Sequence, residues 1–557
     1  MARPTRTRRS TGDRTAESPG TDLAGPTCGC TAAPDPSPGP GSGSTEASAG
    51  TGTHPDAEAP GTSLWRPTAH FSPEQNWMND PNGLVFDEGT YHLFYQYNPH
   101  GNVWGNMSWG HATSTDLVHW TELPVAMEAS PDAQFFSGSI VIDHDNSSGL
   151  GSPEAPAWVA LYTRVYGEGS GHPVGTQAQA LAYSLDKGAT WAHYREGEPV
   201  LGLTPESRSF RDPKVVRHEA GACWVMATVV ADDRVVKLYR SDDLLEWEWL
   251  SDVRGVGAGA QDPAVLWEMP DLFPLPVKGG GEKWVLLLSI NPGSVAGGSG
   301  MQYFVGDFDG TTFTPQDVAA AGSDPTAFNW VDRGADFYAA TTVTGAPDSQ
   351  KVMIGWMDNW DYAADVPTAP WRGSLAIPRD LALEGEEGSL ELVSTISPEA
   401  QAVLGSGTRT ELGDTEVVDA RIPLPPDLCA PRQLISVTLA PGDAASAGLV
   451  VRTDPRGSRG TLISYDTRTQ SLILDRSASG VTDFSPAFSH RHVVPLPLEG
   501  RSLDLTVLVD RSSVEVFADG GRRVVTDIVL PPTDATCLAL FAQGGRATFR
   551  RMTVTTP

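Results

Sequence analysis

Ser114-Thr115-Asp116-Leu117-Val118-His119-Trp120 returns twice along the chain, as Ser184-Leu185-Asp186 with Trp191 and as Ser241-Asp242-Asp243-Leu244-Leu245-Glu246-Trp247. Each copy follows a strand-like run: Trp109-Gly110-His111-Ala112, Ala180-Leu181-Ala182-Tyr183 and Val236-Lys237-Leu238-Tyr239. Ser and Asp side chains accept hydrogen bonds from nearby backbone N–H groups, so the motif marks a chain reversal between two strands. A looser fourth copy is Gly306-Asp307-Phe308-Asp309-Gly310 with Phe313, after Gln302-Tyr303-Phe304-Val305. Units of several short strands, each with a turn fixed by Ser and Asp, describe propeller blades. Hairpin turns in a large sandwich are the alternative. The constant order of strand, turn and tryptophan favours the propeller.

Composition agrees with an all-β chain. Its 557 residues include 58 glycines and 45 prolines, and few segments keep a 3.6-residue apolar period. A net charge of −30 excludes nucleic acid and an anionic membrane surface as partners and suits a neutral ligand. No apolar run approaches the roughly 20 residues needed to span a bilayer. The five cysteines (Cys28, Cys30, Cys223, Cys429 and Cys537) are odd in number and scattered, and are expected to form neither a disulfide framework nor a metal site. Residues 1–62 are rich in Thr, Ser, Gly, Pro and Ala and read as a disordered low-complexity tail. Arg3, Arg6, Arg8 and Arg9 resemble the start of an export signal, but no apolar segment follows. The expectation is therefore cytoplasmic by default, and secreted if the true N-terminus differs.

The chemistry lies elsewhere. In Trp77-Met78-Asn79-Asp80-Pro81-Asn82-Gly83 the residues after Asp80 exclude a helix, since Pro81 lacks an N–H and Asn82-Gly83 favours a turn. Asp80 is thus presented at a strand end or loop, beside two amides suited to a polyhydroxylated ligand. Arg211-Asp212-Pro213 lies early in the third unit and Trp267-Glu268-Met269-Pro270-Asp271 early in the fourth. In a propeller the corresponding strand of every blade lines the axis, so these residues converge. Three carboxylates in one funnel repel and separate in pKa, as a nucleophile and a proton donor require. A third, beside an arginine, can stay charged and bind hydroxyls. Singly, Arg211-Asp212 reads as a local ion pair and Glu268 as a surface acid; jointly they read as a site.

These blocks resemble the signatures of glycoside hydrolase family 32, the invertases, levanases and inulinases. The resemblance continues through Phe94-Tyr95-Gln96-Tyr97-Asn98-Pro99, Trp104 to Ala112, Phe136-Ser137-Gly138-Ser139, Gly355 to Trp360, Pro370-Trp371-Arg372-Gly373 and Val509 to Phe517, and spans about residues 65–557. It implies an all-β fold: a five-bladed β-propeller over residues 63–383, a linker at 384–404 and a β-sandwich over 405–557. Asp80 would be the nucleophile, Glu268 the general acid/base and Asp212 the transition-state stabiliser beside Arg211. Trp77, Asn79, Gln96, Trp104, Phe136, Ser137 and Trp360, with Arg211, would line the fructose pocket. No cofactor and no metal is implied.

The implied reaction releases a terminal β-D-fructofuranosyl unit from levan or inulin, with sucrose as a further substrate. Attack by Asp80 and hydrolysis of the covalent intermediate give net retention, with the carboxyls about 5–5.5 Å apart. An invertase, a fructosyltransferase and a non-catalytic sugar-binding propeller are the alternatives. The retained trio of acids argues against the last. One departure stands out: Met269 occupies a position that is usually cysteine in the family, which is expected to shift the pH optimum. In the second domain, Leu503, Leu505, Val507 and Val509 alternate with other residues, and Ala518-Asp519-Gly520-Gly521 reads as a turn between antiparallel strands. No catalytic cluster appears there.

Overall fold

A computed structural model describes residues 65–557 apart from 317, 321, 489 and 499. The tail at 1–62, with Cys28 and Cys30, lies outside the described residues. The first strands of five antiparallel sheets, Asn76–Asp87, Ala133–Asp143, Phe210–His218, Leu266–Pro276 and Tyr338–Thr342, contact one another in a ring. They are the inner strands of blades I to V of a β-propeller. The ring closes where Trp371–Arg372 pairs in parallel with Asn76 and Trp77, at the edge of blade I.

The repeated motif does what its residue types predict. The Oγ atoms of Ser114, Ser184 and Ser241 accept from the backbone N–H groups of Leu117, Gly188 and Leu244, each at 2.8 Å. Asp116, Asp186 and Asp243 accept from N–H groups further on. The indoles of Trp120, Trp191 and Trp247 then donate back to a carbonyl inside the same turn. In blade IV Asp309 alone holds the turn, accepting from Thr311 and Thr312. Each of these turns joins the third and outermost strands of its blade.

Blade V consists of strands 338–342, 352–356, 379–384 and 391–396. The interval 384–404, read from the sequence as a linker, thus carries that blade's outermost strand. The charged Glu384-to-Gly388 run is the hairpin turn leading to it, followed by a helix at Pro398–Gly405 capped by Ser397. Beyond 407, antiparallel strands fold into a β-sandwich around Val417, Ile435, Leu449, Ile463, Leu505, Val507 and Val514. Its last strand, Cys537–Thr556, pairs with Ser446–Thr453 over its first part and with Gln433–Ala440 over its second, so it serves both layers. The alternating segment 503–509 pairs with 513–518, and 513–518 with 523–528. One expectation fails: Cys429 and Cys537 form a disulfide, while Cys223 is buried and free. The bridge joins cysteines 108 residues apart, a tertiary contact that spacing does not reveal.

Charged groups fully removed from water bind the two domains. His70 Nδ1 and Nε2 lie 2.9 Å and 2.8 Å from Asp510 and Glu515 of the sandwich. Arg379 lies 2.9 Å from both Asp332 and Glu515, and Arg476 lies 2.5 Å from Asp336. A buried charge left without a partner is strongly destabilising, so the domains dock as one register of opposite charges.

Burial opposes a charge on His70, but the hydrogen bonds and charges of Asp510 and Glu515 outweigh it and push its pKa from 6.5 up to about 9. A raised pKa contributes stability that is complete below the unfolded value and lost as pH rises through the folded one. At about 1.4 kcal/mol per unit, this group is expected to cost roughly 3 kcal/mol between pH 6 and pH 10. Urea unfolding midpoints across that range check it. In His70→Gln the midpoint should already be lower at pH 6, and this alkaline decline should be absent.

Candidate active site

All five inner strands break register at the same level. The interruptions fall between Met78 and Pro81, Phe136 and Gly138, Glu268 and Asp271, and Tyr338 and Thr341. In blade III the pairing skips from Arg211 to Lys214. A bulge re-aims the side chains at the break, here toward the axis. Asp80, Ser137, Asp212, Glu268 and Tyr338 occupy or adjoin these breaks, one per blade. Asp212 (φ 62°) and Met269 (φ 50°) take left-handed backbone conformations that non-glycine residues seldom adopt.

Two side chains hold Asp80: Asn79 Nδ2 donates to Oδ1 at 2.9 Å and Ser137 Oγ to Oδ2 at 2.9 Å. Asn79 is oriented in turn by Trp77 Nε1, 2.8 Å from its Oδ1. Asn82, with its amide oxygen toward Gln96 Nε2 (2.9 Å), places its nitrogen 3.2 Å from Ser137 Oγ. Burial, reinforced by the charge of Glu268, pushes Asp80 from 3.8 up to about 6, although the Asn79 and Ser137 hydrogen bonds pull the other way. Asp212 accepts at Oδ2 from the Met269 N–H at 3.0 Å, and its own N–H donates to Thr163 Oγ1 at 2.8 Å. Burial lifts it to about 7; Arg211 counters, while Glu268 and Asp80 add to the rise.

Glu268 is gripped on both oxygens. Arg211 Nε and Nη2 donate to Oε1 at 3.2 Å and 2.9 Å, and the Tyr338 hydroxyl donates to Oε2 at 2.6 Å. Arg211 therefore engages Glu268 rather than Asp212, whose Oδ2 is 3.9 Å from its Nε. The expected local Arg211–Asp212 pair is the longer of the two contacts.

Around the carboxylates, Trp360 stacks on Trp77 at 5.9 Å between ring centroids, and Trp104 meets Phe136 edge-on at 5.9 Å. Trp104 is 36 % exposed at the rim, whereas Trp77 is 1 % and Gln96 2 % exposed, and both brace neighbouring residues. Gln96 Nε2 donates to Phe135 O at 3.0 Å. Deeper along the channel, Lys214 Nζ lies 3.4 Å from Asp271 and donates to Thr341 Oγ1 at 2.9 Å. A cavity of about 610 Å³ lined by Lys214, Trp224, Phe273 and Lys351 lies beyond, and the three carboxylates do not line it.

Sequence reasoning named every acid here but missed Tyr338, Thr163 and the Met269 N–H. Tyr338 sits in Asp336-Phe337-Tyr338-Ala339-Ala340, an apolar run that reads as core. Its one usable signal was position, as the start of the first strand of the last blade.

The description "Glycosyl hydrolases family 32 N-terminal domain" matches residues 70–394, and "Glycosyl hydrolases family 32 C terminal" matches 407–556. The chain is 42 % identical over 496 residues to a levanase of Bacillus subtilis, covering 88 % of this chain and 70 % of that protein. It is 40 % identical over 516 residues to an extracellular exo-inulinase of Aspergillus niger, covering 86 % and 92 %. Among solved structures, exo-inulinase from Aspergillus awamori superposes with a TM-score of 0.80 at 37 % identity, covering 88 % of this chain and 97 % of that one. A β-fructofuranosidase from Schwanniomyces occidentalis complexed with fructosyl-erythritol gives 0.76 at 30 %, covering 89 % and 98 %.

Removing the Ser137 donor takes away one interaction that favours ionised Asp80, so in Ser137→Ala the Asp80 pKa is expected to rise by about 1 unit. The carboxyl band in infrared difference spectra, taken against Asp80→Asn and followed over pH, measures this directly.

Proposed function

This chain belongs to glycoside hydrolase family 32, and we propose on that premise that it releases terminal β-D-fructofuranosyl units from fructans, with retention, and also cleaves sucrose. The single observation that carries this reading is the unequal treatment of three converging carboxylates. Asp80 is held by two neutral donors, one on each oxygen, which keeps it oriented and leaves it able to attack. Glu268 is held by a guanidinium and a phenol, and serves as the acid that protonates the departing oxygen and then as the base that activates water. Asp212 is fixed by the Met269 N–H and binds the hydroxyls of the sugar ring as charge develops at its anomeric carbon.

Asn79, Ser137, Trp104, Phe136 and Trp360 bound the fructosyl pocket, with Trp77 and Gln96 as its support. A pocket reached past the Trp104 rim suits a chain end rather than the middle of a polymer. The levanase and exo-inulinase names of the relatives agree with an exo-acting enzyme on fructan.

Fructose release from levan, inulin and sucrose tests the proposal, with product configuration read by NMR during the first turnovers. Asp80→Asn and Glu268→Gln should each lose at least about 10³-fold in kcat. No release by the parent chain from any of the three substrates would leave a sugar-binding propeller. Larger oligosaccharides among the products would identify transfer to an acceptor sugar.

Because Asp80 must be ionised to attack, kcat/KM should fall as pH drops below about 6. Met269→Cys leaves the backbone donor to Asp212 in place and alters the packing beside it, so the pH–rate profile should shift while kcat stays within about tenfold. Superimposable profiles would remove Met269 from the account of the pH optimum.

A further inference from the structure

We infer that Arg476, a sandwich residue, is a positioning residue for the propeller's sugar pocket, acting on Tyr338 and Trp360 together. This rests on the fructoside-cleaving reading of the site. Arg476 is 0 % exposed, and each of its three nitrogens is engaged. Nη1 bonds Asp336 Oδ2 at 2.5 Å and Ile528 O at 3.0 Å; Nη2 donates to the Tyr362 hydroxyl at 2.8 Å; Nε donates to Phe488 O at 2.8 Å. The Tyr362 hydroxyl donates to Asp336 Oδ1, which closes a three-membered ring of polar contacts.

The positions of the two partners matter more than their number. Asp336 stands two residues before Tyr338, the phenol on Glu268, and Tyr362 stands two residues after Trp360, the indole stacked over Trp77. One guanidinium thus grips the segment leading into the inner strand of blade V and the loop carrying the pocket's aromatic wall. Within the propeller the same two segments are already tied twice, by Asn359 Nδ2 donating to Ala335 O at 2.8 Å and by the Tyr362 hydroxyl donating to Asp336. Arg476 adds a third tie from the other domain, and its planar fork fixes the angle between the Asp336 carboxylate and the Tyr362 hydroxyl. Phe488, 4.0 Å from the guanidinium, and Phe484, in contact with Phe488, back the arrangement against Tyr362. Among the described residues the sandwich places no acid in the site, yet through this arginine it holds the two segments that carry Tyr338 and Trp360.

The test is a set of double-mutant cycles in the full chain, with kcat and KM measured on sucrose and levan. Arg476→Lys keeps the charge facing Asp336 and Asp527 but loses the fork. It is expected to lower kcat/KM about tenfold, with both kcat and KM affected. Combined with Tyr338→Phe or with Trp360→Ala, it should lose no more than about twofold beyond the worse single variant, because the second change acts on a group already released. Losses that multiply, or Arg476→Lys kinetics equal to the parent's, would overturn the inference. If Arg476→Lys does not fold, Tyr362→Phe enters the same cycles in its place under the same criterion. A parent chain that releases no fructose would fail the functional reading itself, whereas an active parent with multiplying losses would fail only this inference.

Discussion

Three carboxylates sharing one water-poor funnel are mutually repulsive, and the architecture around them reads as the set of contacts that makes this tolerable. Repulsion and desolvation act together: Asp80 and Asp212 are both pushed above the usual carboxylate range. What offsets them is a single guanidinium, Arg211, and a ring of neutral donors from Asn79, Ser137, Tyr338 and the Met269 N–H. These donors come from all the blades but III, which supplies the guanidinium. Only a closed ring of inner strands can deliver one group from each direction, and only a register break at a common level can turn all five toward the axis.

The same electrostatic problem recurs at the domain boundary with a different solution. There His70, Arg379 and Arg476 face Asp332, Asp336, Asp510, Glu515 and Asp527, all deeply buried. There each acid has a cation within 4 Å, although five acids share three cations. Such pairs add little net stability over a well-packed apolar interface, but removing one partner strands the other. The boundary is therefore stringent about geometry, and the familial Asp510-to-Glu515 segment is where the sandwich inserts two of its acids against the propeller.

Much of this was legible beforehand. Asp80, Asp212 and Glu268 stand in distinctive local motifs, although the Asn79-to-Gly83 stretch expected at a strand end or loop lies inside the bulged strand Asn76–Asp87. The Ser–Asp–Trp turns announce themselves because each is closed by its own residues. Less legible were groups whose meaning comes from a distant partner. Tyr338 lies in an apolar run, Arg476 in an unremarkable strand end, and Cys429 pairs with Cys537 across 108 residues. The outermost strand of blade V reads as linker because the charged Glu384-to-Gly388 turn before it looks like a boundary, and only pairing with 379–384 shows it to be a hairpin.

The sequence by itself determined the Ser–Asp–Trp turns and the all-β class, and it named the three acids that the fold brings together, because these readings depend on residues within a few positions of one another. Which acid Arg211 holds was decided only in three dimensions: adjacency suggests Asp212, but the guanidinium reaches the neighbouring blade and holds Glu268 more closely. Tertiary structure likewise chose Tyr338 as the second hand on that glutamate and tied both domains to the pocket through Arg476. The physical reason is the same in each case. A local hydrogen bond is written into neighbouring residues, whereas the partner of a buried charge is set by whatever the folded chain brings within about 3 Å of it.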